Sequence, residues 1–266
     1  MKRITKYAAM MLLGATLVGC ATSAITGRRY LKLVDSKTIN DQAALAYKDF
    51  LSKNSSKVET GSAAATQVKR VGNRIAQATN EYLRQIGAAD KFNFNWEFNL
   101  IESDQVNAWC MPGGKVAVYT GILPVAKNDA GLATVMGHEI AHAIEEHSVS
   151  QVSNAMAAQL GAQLLNAAGT ISNSRYTGII NQVYGIGYQV GSLKFSRNDE
   201  LAADRAGLIL MAMAGYNPEE AVGFWERMSQ GKKGSTPEFL STHPSDARRI
   251  SQLQAMIPEA MKYYKK

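Results

Sequence analysis

The stretch His138-Glu139-Ile140-Ala141-His142 decides how this 266-residue sequence is read. Asn128 or Asp129 can cap a helix that runs from about residue 130 through His147 and carries all five residues. Four positions are about one helical turn, so the two imidazoles share a face and can hold one Zn²⁺ at ~2.0 to 2.1 Å. Glu139 lies one step round, within reach of a water at the metal without being a ligand itself. An HExxH on an ordinary surface helix would look the same, so the motif needs partners elsewhere. Position 145 is Glu, and His147 lies about 140° round the helix from His142, so His147 reads as structural and faces away.

A catalytic zinc takes three protein ligands and keeps an open position. Further along, Ser196 and Asp199 have capping-box spacing and open a helix from about Arg197 to Ala214, closed by Gly215. On it Glu200 and Asp204 stand at i and i+4. Glu200 can offer a carboxylate to the metal, and Asp204 can accept the free ring N–H of a ligating His. The competing reading is a solvated acidic helix face.

Outward from these two helices, Phe92, Phe94, Trp96, Phe98 and Leu100 alternate with Asn93, Asn95, Glu97 and Asn99, which is the period of a half-buried strand. Runs at 106–111 and 115–120 flank Pro112-Gly113-Gly114 and read as a hairpin. Helices are expected at about 35–52, 62–86, 217–229 and up to Met256. The amide-rich segment 151–193 reads as helices and loops beside the site, with a possible role as a lid. The fold class expected is α+β: mainly helical, with a small antiparallel sheet and an HExxH active-site helix. No internal repeat stands out.

At the start, Lys2, Arg3 and Lys6 precede an apolar run from Tyr7 to Val18, too short to span a bilayer. Leu17-Val18-Gly19-Cys20 looks like a bacterial lipobox, so residues 1–19 read as a lipoprotein signal peptide and Cys20 as the lipidation site. Residues 20–34 are expected to be a tether, and 35–266 the zinc metallopeptidase domain. Ala21 in place of Asp favours an outer-membrane location facing the periplasm, with a lipid anchor as the membrane contact. Removing residues 1–19 takes away three positive charges and no negative ones, so the net charge falls from +7 to +4. The remaining basic residues form no run of five, which argues against nucleic acid as a partner. Composition is 46% hydrophobic and 19% charged with only 6 Pro, which indicates a folded, helix-rich chain. Of the 2 cysteines only Cys110 would remain unmodified, so no intramolecular disulfide is expected. A Cys110 nucleophile would have no use for a second carboxylate helix.

Residues Asn107-Ala108, the 112–121 segment Pro-Gly-Gly-Lys-Val-Ala-Val-Tyr-Thr-Gly, His138 to His142 with His147, Phe195-Ser196-Arg197 with Glu200 and Asp204, and His243-Pro244 with Arg249 occur in order over residues 100–250. In this the sequence resembles the HtpX-like zincin metallopeptidases of peptidase family M48, which include mitochondrial Oma-type proteases and bacterial lipoprotein proteases. The resemblance implies a gluzincin-type fold, one Zn²⁺ per chain held by His138, His142 and Glu200, and Glu139 as general base. It further implies polypeptide substrates, hydrolysis of misfolded or unassembled envelope proteins, and an outer-membrane assembly machinery as a possible partner. The strand Lys115, Val116, Ala117, Val118 is expected to border the cleft and pair with extended substrate. His243 is expected near the metal, either as a fourth ligand or as a donor to the oxyanion. The alternatives are a chaperone-like outer-membrane assembly lipoprotein with little proteolysis, and a zinc hydrolase acting on peptidoglycan peptides.

Overall fold

The computed structural model describes residues 19–165, 195–230, 237–243 and 247–265. The signal-peptide expectation for the first eighteen residues and most of the 151–193 lid reading therefore lie outside the described residues.

The chain opens with β1 (Cys20–Thr22) and β2 (Arg29–Leu31), paired antiparallel. The expected tether is instead a hairpin docked on the body, because Ile25 packs against Ala141, Ala203 and Ala206, alanines drawn from two different helices. Helix α1 (Ser36–Lys53) starts where the Asp35 carboxylate accepts from Thr38 N, and α2 (Ala63–Gln85) where Ser62 Oγ accepts from Ala65 N. Between them lies β3 (Val58–Glu59), followed after α2 by β4 (Glu97–Ile101), β5 (Ala108–Met111) and β6 (Lys115–Tyr119).

The sheet order is β3-β4-β6-β5, with β4 and β6 parallel and the other pairs antiparallel, so the sheet is mixed. The alternating aromatic run enters the ladder only from Asn95, whose N–H reaches Gly113 O at 3.0 Å. Along the run Phe92, Phe94, Trp96 and Phe98 stack ring on ring, with centroids 4.4 to 6.2 Å apart. Gly113 and Gly114 both have positive φ, +79° and +86°, which the turn between β5 and β6 requires. The ring of Trp96 covers Gly114 and leaves no room for a Cβ there.

Helix α3 (Asp129–Ile144) is buried along nearly its whole length, with Asn128 Oδ1 accepting from Gly131 N at its start. It ends before His147, and a new helix α4 (His147–Leu165) begins there. Helix α5 (Arg197–Met213) has the Ser196–Asp199 capping box and ends at Gly215, φ +79°. Helices α6 (Glu220–Gln230) and α7 (Ala247–Ala260) close the core over α3 and α5 through Trp225, Phe224 and Leu253. Helices α3 and α5 meet at two glycines. A Cβ on Gly207 would lie 2.9 Å from His138 N, so only glycine allows this approach. Among the described residues, no helix is long and apolar enough to cross a membrane.

Candidate metal centre

Helix α3 carries His138 and His142 on one face, and the Gly207 crossing holds the first turn of α5 against it, so Glu200 meets the two imidazoles. His142 Nε2 lies 3.1 Å from His138 Nε2 and 3.4 Å from Glu200 Oε1, while His138 Nε2 lies 3.5 Å from Glu200 Oε2. Ligands ~2.0 to 2.1 Å from one tetrahedral zinc stand about 3.3 to 3.4 Å from each other, so the donor set and its spacing fit that ion. His243 joins them: its Nδ1 is 3.2 Å from His138 Nε2 and 2.9 Å from Glu200 Oε1. All four residues are buried, and one ligand atom from each lies within 4.8 Å of the others.

Asp204 Oδ1 is 2.9 Å from His138 Nδ1, the ring nitrogen turned away from the cluster. Asp204 is in turn held by Arg249, whose Nε donates to Oδ2 at 2.8 Å and Nη2 to Oδ1 at 2.7 Å. Arg249 Nη1 lies 2.8 Å from Glu200 Oε2, and its guanidinium stacks on Trp225 with Cζ 3.6 Å from the ring centroid. One arginine therefore braces both carboxylates. In the sequence Arg249 stands out only as part of a motif; its role depends on α7 folding back over α5, and no local pattern announces that.

Protonation differs sharply across the cluster. Burial opposes a charge on His138, but hydrogen bonds to Asp204 and Glu200 outweigh it and raise the pKa to about 9. Burial lowers His142 to about 3, only partly offset by Glu200. Burial also opposes charge on Glu200, yet His243 and the other two histidines hold it far below the usual carboxylate range. Glu139 moves the other way. Burial raises its pKa, with His243 and His138 pulling it back. Its Oε1 has no hydrogen bond among the described residues and lies 3.4 Å from His243 Nε2.

Two expectations need correction. Lys115 to Val118 lie on β6, an inner strand paired on both sides, so their backbone cannot receive a substrate strand. Among the described residues, 108–111 on β5 form the outer strand. Tyr119 N donates to Asn107 O, which fixes the register so that Ala108 and Cys110 turn their backbone groups to the open edge. The Cys110 N–H there faces the Glu139 carboxylate and slightly lowers its pKa. His147 is the second correction. Because α3 stops at Ile144, His147 does not face away: its Nδ1 is 2.9 Å from His142 Nδ1, although it is not among the four clustered residues. Cys20 is exposed on β1, remote in sequence from this cluster.

The model of peptidase family M48 matches residues 63–257. The mitochondrial metalloendopeptidase OMA1 of Schizosaccharomyces pombe is 32% identical over 264 residues, covering 94% of this chain and 72% of the relative. The OMA1 of Saccharomyces cerevisiae is 34% identical over 180 residues, 64% of this chain and 49% of its own length. The beta-barrel assembly-enhancing protease of Escherichia coli O157:H7 is 28% identical over 195 residues, 67% of this chain and 39% of its own length. The mitochondrial relatives overturn the expectation of a bacterial outer-membrane location facing the periplasm. With a family match over most of its length and a donor cluster that fits one zinc, the chain belongs to peptidase family M48 and is a zinc-dependent metalloendopeptidase.

Proposed function

We propose that His138, His142 and Glu200 hold the zinc, that Glu139 is the general base, and that the protein cuts misfolded or unassembled polypeptides presented as extended chain. The observation that carries this reading is the 3.1 to 3.5 Å spacing of the three donor residues beside a buried carboxylate with an unbonded oxygen. Bound zinc supplies Lewis acidity, which polarises a peptide carbonyl and acidifies water toward pKa ~7. Glu139 Oε1 receives the proton of the attacking water as its oxygen bonds to the carbonyl carbon. The same carboxyl then gives that proton to the leaving amine as the C–N bond breaks. The raised pKa of Glu139 suits both transfers. Asp204 keeps the His138 proton on Nδ1 and leaves Nε2 as the donor. The open edge of β5 offers carbonyls to an extended backbone, a mode that reads main chain more than side chains and so suits unfolded substrates.

Glu139→Gln should keep one zinc per chain and the fold, while cleavage of unfolded casein falls by at least ~10². Full cleavage by that variant would remove Glu139 from the mechanism. Acylation of the exposed Cys20 is a separate proposal. Mass analysis of the purified protein checks it, and an unmodified thiol there overturns acylation at Cys20.

A further inference from the structure

We propose that His147 is a positioning residue of the metal site, and that through Asp199 and Arg28 it makes the N-terminal hairpin part of the support for His142. This rests on His142 being a ligand through Nε2, as argued above. If Nε2 faces the metal, the ring proton must sit on Nδ1, and the atom 2.9 Å from Nδ1 is His147 Nδ1. Two facing imidazole nitrogens make a hydrogen bond only when one donates and the other accepts. His142 is then the donor, His147 Nδ1 the acceptor, and the His147 proton is confined to Nε2. That nitrogen lies 3.5 Å from Asp199 Oδ1, an ion-pair contact longer than a hydrogen bond, and it has no hydrogen-bond partner among the described residues. Asp199 is fixed from two sides: its Oδ2 accepts from Ser196 Oγ and N in the α5 cap, and its Oδ1 lies 3.0 Å from Arg28 Nη1.

Each histidine ligand thus has its own backing. His138 has Asp204 and Arg249, while His142 has His147, Asp199 and Arg28. The second chain begins in the β1–β2 hairpin. The hairpin is fastened next to it: Thr26 N and Oγ1 donate to the buried Glu145 at 3.2 and 2.5 Å, and Tyr30, Lys32 and Ser36 all converge on Glu146. Glu146 has φ +53°, the left-handed conformation that ends α3 and turns His147 back beneath His142. The hairpin therefore stabilises the bend that brings His147 to its partner.

The test compares zinc affinity, by competition with a chelator, in the full chain and in His147→Leu and His147→Asn, with thermal melting of the zinc-free proteins as control. Leu fills the space without an acceptor; Asn restores an acceptor oxygen near the place of Nδ1. His147→Leu should weaken zinc ~10- to 100-fold, the usual loss for such supports, and His147→Asn should recover most of it. Equal affinity in all three proteins overturns the proposal, and so does a His147→Asn as weak as His147→Leu, which would make the effect one of packing. Arg28→Met should weaken zinc several-fold in the native background and add nothing in His147→Leu, since the link is already cut there. Additive losses would overturn the connection to the hairpin. His142→Ala separates this from the ligand assignment. If His142→Ala retains native zinc affinity, the ligand reading fails; if it loses zinc while His147→Leu does not, only the present inference fails.

Discussion

His138 and His142 stand one turn apart on α3 yet are held in opposite protonation states, about 9 against about 3. The metal-free His138 is raised above its ordinary 6.5, so at pH 7 it carries a proton, and the stability this gives the metal-free fold is full below 6.5 and fades as pH rises through 9. Zinc needs the His138 Nε2 lone pair, so binding must expel a proton, and affinity should rise about tenfold per pH unit from near 6.5 to 9. Calorimetry in two buffers of different ionisation heat reads this directly; a binding heat independent of buffer would show His138 neutral beforehand. His243 is the other residue whose chemistry the geometry sharpens. With Nδ1 among the donors and Nε2 3.4 Å from Glu139, it stands where a fourth donor would take the position that a catalytic zinc leaves open. His243→Ala should therefore raise peptide cleavage at unchanged zinc content. A fall in kcat of ~10² to 10³ would instead assign His243 to the oxyanion.

At the scale of elements, the site depends on how closely α3 and α5 approach. Gly137 and Gly207 face each other there, and a Cβ on Gly207 would come within 3.0 Å of three backbone atoms of residues 137 and 138. Backbone cannot swing aside as a flexible side chain can, so Gly207→Ala should push α5 outward, cost about 1 to 3 kcal/mol as overpacking does, and separate Glu200 from the histidines. Zinc affinity should drop more than thermal stability does, measured on the same preparation. Native zinc affinity in Gly207→Ala would mean that the helices are not the gauge of ligand spacing. This crossing also shows what could be read from sequence. The start of α3 at Asn128, the α5 capping box and the β5–β6 turn are local chemistry, written in residues one to three positions apart, and the structure has each of them. The parallel pairing of β4 with β6, which moves the open edge from Lys115–Val118 to Ala108–Met111, is set by tertiary contacts that no periodicity records. The break in α3 was invisible for a related reason. Glu145 and Glu146 carry no Gly or Pro signal, and the bend there is held by Thr26, Tyr30, Lys32 and Ser36, more than a hundred positions earlier.

Across the whole molecule, the metal cluster gathers bonds from almost every part of the chain. The hairpin reaches it through Arg28 and Asp199, β5 faces Glu139 with Cys110, α3 and α5 carry three of the four clustered donors, and α7 supplies Arg249. Without the ion, this arrangement keeps Glu200, Asp204, Arg249 and three histidines close together in the interior, where unscreened charge is costly. Zinc should therefore act as a global stabiliser and not only as a catalytic group. An ion that binds only the folded state adds about 4.1 kcal/mol at a thousandfold excess over Kd. For a chain of this size each kcal/mol moves Tm by roughly 2 to 4 °C, so the loaded protein should melt about 8 to 16 °C above the chelated one. The shift should scale with the logarithm of free zinc and shrink strongly in Glu200→Ala, while Glu139→Gln, which keeps every donor, retains it. A Tm indifferent to free zinc would show that the cluster is held by Arg249 and its carboxylates alone, with the ion contributing to the reaction but not to the fold.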